Sequence, residues 1–113
     1  MWTILFDEEC ETWLLGLDPD LRRAVFDKIA LVREWGPQLG RPHVDTLKGA
    51  NLANLKELRI PFKGDPWRLL FAFDPTRRAV FLAGGCKAGD KRWYKTWIPI
   101  AEARYRRHLE GSE

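Results

Sequence analysis

The sequence predicts an α+β fold: a sheet of about four strands, antiparallel or mixed, with an N-terminal αα-hairpin on one face and a C-terminal helix. Three observations carry this. Residues 47–87 hold three apolar, β-prone runs separated by turn residues, the pattern of an antiparallel meander. Residues 7–35 hold two consecutive stripes of apolar side chains at helical spacing. A third stripe, Trp93, Trp97, Ala101, Tyr105 and Leu109, recurs every four residues near the C-terminus.

Taken in order, Trp2 to Phe6 alternates loosely and reads as an opening strand. Asp7 is placed as a helix N-cap, with Glu8 and Glu9 where the helix dipole favours negative charge. Cys10, Trp13, Leu14 and Leu17 follow as one apolar stripe. Asp18-Pro19 restarts a helix in the favoured cap order, and Leu21, Ala24, Val25, Ile29 and Val32 form its buried side. Gly36-Pro37 stops it, which makes an αα-hairpin able to cover one sheet face. Residues 38–53 show no period and read as an irregular connection holding a turn or a short extended piece. The meander turns are expected at Pro61–Pro66 and Asp74–Arg78. Gly84-Gly85 is expected to admit close approach of a backbone or a ligand. Pro99 should kink the last helix or divide it in two.

The chain has 113 residues, 45% hydrophobic and 31% charged, the profile of one folded domain spanning 1–113 rather than a disordered chain. No apolar run is long enough to span a bilayer, and no basic-then-apolar leader is visible, so no membrane partner is expected. Cys10 and Cys86 then read as reduced thiols of a cytoplasmic protein. His43 and His108 stand far apart in the sequence and no Cys/His cluster accompanies them, so neither metal nor cofactor is expected. Charge is uneven. Residues 1–35 carry four basic and eight acidic side chains, and residues 36–113 carry fifteen basic and eight acidic ones. The basic part suits a polyanion, or is a solvated surface with no partner.

Sorting the strands by period two places Leu55, Glu57 and Arg59 on one face and Lys56, Leu58 and Ile60 on the other. On the next strand Trp67, Leu69, Phe71 and Phe73 lie opposite Arg68, Leu70 and Ala72. The simplest register joins the Glu57/Arg59 face to the Arg68 face and leaves Leu58, Ile60, Leu69 and Phe71 under the helices. The charged face is expected to be uncovered. Residues 79–85 are apolar on both faces.

The order and spacing of Leu47-Lys48-Gly49, Leu55-Lys-Glu-Leu-Arg59, Arg68-x-Leu-Phe-Ala-Phe-Asp74, Gly85-x-Lys87, Arg92-Trp93-Tyr94 and Ile98-Pro99-x-Ala101 resemble the RelE/ParE toxin superfamily, in its phage-derived HigB-like branch. The likeness runs from about Ile4 to Leu109. It implies a RelE-like fold and the toxin of a type II toxin–antitoxin system. It implies as partner a cognate antitoxin, often of helix-turn-helix type, in a complex of higher oligomeric order. RelE-like members cleave mRNA on the translating ribosome without a metal. The ParE arm inhibits DNA gyrase on the same fold, and an inert regulatory module is a further alternative.

Metal-free RNA cleavage requires deprotonation of a ribose 2′-hydroxyl, stabilisation of the charged phosphate and protonation of the leaving 5′-oxygen. Arg59 and Arg68 are the expected phosphate-stabilising pair, because a guanidinium donates in paired bonds. The alternative is that Arg59 merely pairs with a carboxylate. Glu57 is either a general base or the partner that orients Arg59. Lys48 and Lys87, beside glycines, are placed to reach a phosphate or exchange a proton, or are solvated. Tyr94 stacks on a base, donates a proton, or packs with Ile98. The expected catalytic set is thus Glu57, Arg59, Arg68, Lys87 and Tyr94, and the expected RNA-binding set is Lys48, Lys56, Lys91 and Arg92. His43 falls in the irregular loop and His108 is expected at the surface. Trp93 and Trp97 are expected in the core.

Overall fold

The computed structural model describes residues 1–51 and 54–111. In chain order the elements are β1 (Thr3–Phe6), α1 (Glu8–Leu15), α2 (Pro19–Trp35), a 3-10 turn (Gly36–Gln38), β2 (Val44–Thr46), β3 (Leu55–Phe62), β4 (Asp65–Phe73), β5 (Arg78–Cys86) and α3 (Trp93–Gly111). The strands form one sheet in the order β1-β5-β4-β3-β2. β1 is parallel to β5 and the other neighbours are antiparallel. Where about four strands are expected from the sequence, the sheet has five among the described residues. The extra one is β2, three residues at the sheet edge, too short to show a period. Leu52 and Ala53, in the same irregular connection, lie outside the described residues.

Local chemistry sets the element ends. The Asp7 carboxylate accepts the amides of Glu9 and Cys10, and the Asp18 carboxylate accepts that of Asp20, so both helices start where the cap residues stand. The β3–β4 turn is tighter than the six residues expected. Lys63 and Gly64 both have positive φ, 49° and 84°, the two-residue turn whose twist matches its strands. Pro61 and Pro66 therefore lie inside the strands as register partners. At the other end of β4, Asp74 accepts the amides of Thr76 and Arg78 and closes the expected turn.

The register matches the period-two sorting: Arg59 faces Arg68, and Leu58 faces Leu69. One face of the sheet, with Leu58, Ile60, Leu69, Phe71, Phe73 and Phe81, packs against α1 and α2. The other face, expected to be uncovered, is partly covered by α3. Leu55, Leu70, Ala72, Val80 and Leu82 lie beneath Trp93, Ile98, Ala101 and Tyr105 of α3. Five apolar side chains on one face need a cover, and the two-sided apolar character of β5 is its mark in the sequence. Only the end of this face that carries Glu57, Arg59 and Arg68 stays clear of that second core.

α3 is one helix, neither ended nor divided at Pro99. The proline removes one backbone donor, and burial of Ile98, Ala101 and Tyr105 on either side of it holds the helix together. Gly84 and Gly85 admit tryptophans rather than a backbone or a ligand. A Cβ on Gly84 would collide with the Trp13 ring, and one on Gly85 would stand 3.0 Å from Trp93 Nε1. The glycines let α1 and α3 close on opposite faces of β5.

Two polar latches hold α3 down. His108, expected at the surface, is half-buried and engaged: its Nε2 lies 2.9 Å from Asp74 Oδ2, and its ring stacks on Tyr105. Arg104 donates to the Leu82 carbonyl and to Glu9, and Arg107 donates to Asp7 at 2.6 Å. Part of the basic C-terminal charge is thus spent on the acidic start of α1. Burial pushes the Asp74 carboxyl up, but the bonds from His108, from the Arg78 and Thr76 amides and from the Arg78 side chain outweigh it and hold Asp74 well below the usual carboxylate range.

Gly84→Ala should destabilise the fold by about 1–3 kcal/mol through overpacking against Trp13, read from urea denaturation. Asp74 has a depressed folded pKa, so its contribution is complete above the ordinary carboxylate range and is lost as pH falls below it. Between about pH 5 and about pH 2, Asp74→Asn should therefore lose less stability than the parent chain, although it starts from a lower value.

Candidate functional site

Glu57 is the centre of the open end of the sheet. It is 5% exposed, and three groups converge on its carboxylate. The Tyr94 hydroxyl donates to Oε1 at 2.5 Å. Arg68 Nε lies 3.2 Å from Oε1, and Arg59 Nη2 lies 3.4 Å from Oε2. The same Arg59 nitrogen is 3.3 Å from Asp45 Oδ2, to which Arg41 Nη2 also donates at 2.8 Å. The row Arg41–Asp45–Arg59–Glu57–Arg68 alternates in sign and ends in a cation at each side.

Strand geometry produces the row. Asp45 and Glu57 are partners across β2 and β3, and Arg59 and Arg68 are partners across β3 and β4, so period two puts all four on one face. Like charges directly opposite repel. Glu57, one same-face step away, offsets the repulsion between the arginines. Tyr94 enters from the second residue of α3. Its hydroxyl pKa is raised, first by burial and then by the bond to Glu57, with Arg68 opposing, so it is a proton donor at neutral pH. Asp45 is held below its usual pKa chiefly by the Arg41 bond.

The guanidiniums are only partly satisfied. Arg68 Nη1 donates to the Trp67 carbonyl, while Arg59 Nε and Arg68 Nε are buried without an aligned hydrogen-bond acceptor among the described residues. At 3.2 Å the Arg68 Nε–Glu57 contact is an ion pair that misses hydrogen-bond alignment. Under-bonded, desolvated cations attract an anion more strongly than solvated ones do.

The rim is cationic. Lys48 is exposed and lines a cleft of about 350 Å³ together with Arg41, Asp45, Glu57 and Tyr94. Lys87 Nζ lies 5.4 Å from the Tyr94 ring centre, and its amide is fixed to the Pro66 carbonyl at 3.1 Å. Lys91 and Arg92 are exposed in the turn before α3, where Asp90 accepts the Arg92 amide. The structure thus brings together Glu57, Arg59, Arg68, Tyr94, Lys87 and Lys48.

Lys56 is not brought into this group. It alternates onto the α1–α2 face of β3 and donates to Thr46 Oγ1 at the sheet edge. His43 is also separate, with Nδ1 2.8 Å from Lys28 Nζ. Trp93 is buried and Trp97 half-buried, both in the core under α3. Arg41 and Asp45 complete the row and were missed from the sequence. Their four-residue spacing is visible, but only β2, unseen from periodicity, turns Asp45 toward the arginines.

A five-stranded mixed sheet with two helices on one face, a C-terminal helix on the other and a cationic, tyrosine-flanked end defines a class, the RelE-like fold. Residues 12–106 match the family described as phage-derived protein Gp49-like (DUF891), and the chain belongs to that family. Two Mycobacterium tuberculosis proteins, both named as toxins, are similar to it. HigB2 is 44% identical over 108 residues, covering 94% of this chain and 54% of HigB2. HigB3 is 46% identical over 97 residues, covering 85% of this chain and 83% of HigB3. The chain therefore spans about half the length of HigB2. Among solved structures, the isolated Escherichia coli toxin RelE superposes with a TM-score of 0.63 at 16% identity, covering 88% of this chain and 99% of that one. A free-state arginine double mutant of RelE gives 0.61 at 16% identity, covering 91% and 96%. At that identity the likeness shows the fold alone. The HigB-like branch of the RelE/ParE superfamily, read from the motifs, agrees with both kinds of comparison.

Burial, the larger cause of the raised Tyr94 pKa, persists in Glu57→Gln, but the substitution removes the negative charge that adds to it while keeping the shape of the site. The Tyr94 titration should move down toward the ordinary tyrosine value of about 10, with Tyr105, the other of the two tyrosines, as internal reference. Ultraviolet difference titration of the parent, Glu57→Gln and Tyr94→Phe chains reads this. An unmoved Tyr94 would contradict the Glu57–Tyr94 coupling.

Proposed function

We propose that this chain is the toxin of a type II toxin–antitoxin pair and acts as a metal-independent endoribonuclease on ribosome-bound mRNA. The observation that supports this most is the facing pair Arg59 and Arg68, braced by buried Glu57 and flanked by Tyr94, at the open end of a RelE-like sheet. The named relatives HigB2 and HigB3 support the toxin assignment.

In the proposed reaction the 2′-oxygen of a ribose attacks the adjacent phosphorus, its proton leaves to a base, and the P–O5′ bond breaks as the 5′-oxygen takes up a proton. Arg59 and Arg68 donate to the non-bridging oxygens as charge builds there, which is where preorganised donors act most strongly. Glu57 holds both guanidiniums in place, so the clamp exists before the RNA arrives. Tyr94, whose hydroxyl keeps its proton, stands beside the clamp with Lys87, and both are suited to the leaving oxygen. Lys48 and Arg92, with Lys91, guide the flanking phosphates by charge. The proposed location is the cytoplasm, where the ribosome is. The proposed antitoxin, of helix-turn-helix type and forming a higher oligomer with the toxin, covers the same cations, so its binding should weaken with salt.

A second reading, a non-cleaving toxin of the ParE kind, is favoured by one feature. The Glu57 carboxylate is fully engaged by Tyr94, Arg59 and Arg68, which suits a structural brace better than a free base.

Induction of the chain in growing cells should stop translation and create new RNA 5′ ends inside translated codons. The folded Arg59→Ala/Arg68→Ala double variant should lose both effects by two orders of magnitude or more, roughly the loss that follows removal of such donors. Retained toxicity in that variant would refute the site. DNA-damage signalling with intact mRNA would establish the second reading, and normal growth on induction would refute both.

A further inference from the structure

Beyond Arg59 and Arg68 the same face of the β3–β4 hairpin continues to Pro61 and Pro66, themselves register partners. With Pro42 from the loop before β2, these prolines and the two arginines line a cleft of about 300 Å³, with Asp65 at its edge. It lies on the far side of the arginine pair from the cleft of Lys48 and Tyr94.

We propose that this proline-walled cleft is a stacking subsite for one nucleobase of single-stranded RNA, the base next to the phosphate held by Arg59 and Arg68. The inference rests on the anion-binding reading of those arginines given above.

Four features argue for a base. Arg59 is tethered through Nη2 to Asp45 and Glu57, and Arg68 through Nη1 to the Trp67 carbonyl. Such bonds lie in the guanidinium plane and do not themselves occupy its faces; Arg59, whose side chain is 32% exposed, is the better placed of the two to lie against an unpaired base. The prolyl rings add rigid apolar walls and lose no rotamer entropy when a ring lies against them, so the platform is preformed. The volume is at the lower end of small-ligand sites, suited to one base and too small for a longer segment. Finally, the exposed Asp65 carboxylate disfavours a second phosphate at this edge and offers an acceptor to a base's amino group.

Edge protection explains only part of the proline set. β2 ends its pairing opposite Leu58 and Lys56, so Pro61 lies on an unpaired strand edge, where proline blunts further pairing. Pro66 does not: β4 runs between β3 and β5, and its carbonyl accepts the Lys87 amide. Pro61 and Pro66 form the pair next to the turn-flanking Phe62–Asp65 pair, where backbone N–H groups point away from each other, so the hairpin accepts both prolines without losing a β3–β4 bond.

The test measures binding of a short fluorescent single-stranded RNA, and of the same RNA with one abasic nucleotide moved along its length, by anisotropy at fixed salt. The folded parent chain should bind one abasic position about three- to tenfold more weakly than intact RNA. Pro61→Ala/Pro66→Ala should lose a similar factor for intact RNA, lose nothing further at that abasic position, and keep the parent's salt dependence. Arg59→Ala/Arg68→Ala should instead flatten the salt dependence. If the parent ignores every abasic position, or the proline variant binds as the parent does while the arginine variant loses binding, the stacking subsite is refuted and the anion reading stands. If the arginine variant also binds as the parent does, the anion reading fails and this inference with it. Should the proline variant not fold, the abasic scan on the parent chain decides by itself.

Discussion

The placement of one carboxylate, Glu57, between two arginines and a tyrosine is the constraint on which the rest of the site depends. Arg59 and Arg68 face each other across neighbouring strands, a pairing that is destabilising by itself. A buried carboxylate one step along the same face makes it tolerable, and the Tyr94 hydroxyl satisfies that carboxylate from a third element. Removing one member of such a group leaves the others desolvated and unpaired, which costs far more than the group contributes. Glu57 therefore ties side chains from strand β3, strand β4 and the start of α3 together at the open end of the sheet. The same residue leaves both guanidiniums short of aligned acceptors at Nε. The structural brace and the proposed anion clamp rest on one arrangement.

The charge of the chain is sorted by the fold into two uses. Arg104 and Arg107 reach back to Asp7 and Glu9, and Arg78 and His108 enclose Asp74. These contacts fasten α3 to the start of α1 and to the β4–β5 turn. What remains toward solvent around Glu57 is a smaller group: Arg41, Lys48, Lys91 and Arg92 at the rim, with half-buried Lys87 and Arg59 behind them. The excess of basic residues after residue 35 thus overstates the surface offered to a polyanion, because part of it neutralises the acidic N-terminal third internally.

α3 serves both uses. Its apolar side covers half of a sheet face, and its second residue supplies Tyr94. Had α3 covered the whole face, the arginines would be enclosed. Had it covered none, Leu55, Leu70 and Leu82 would lie in water. The boundary of its cover falls between Leu70 and Arg68 on β4 and at Glu57 on β3, where the side chains change from apolar to charged.

The sequence by itself determined the two N-terminal helices with their caps, the apolar stripe of α3 though not its continuity through Pro99, the three long strands, the register of the hairpin and the face shared by Glu57, Arg59 and Arg68. These follow from period and local capping, which act over a few residues. The tertiary structure decided what has no local signal. β2 is too short to carry a period, yet it turns Asp45 toward Arg59. Lys56 passes to the opposite face from its neighbour Glu57 and so leaves the site. His108 meets Asp74 from 34 residues away, and Tyr94 meets Glu57 from 37. The two glycines of β5 were legible as a place of close approach, but only the packed helices show that tryptophans fill it. Contacts between distant residues are chosen by how helices and sheet share one core, and a single sequence read in short windows contains no record of that choice.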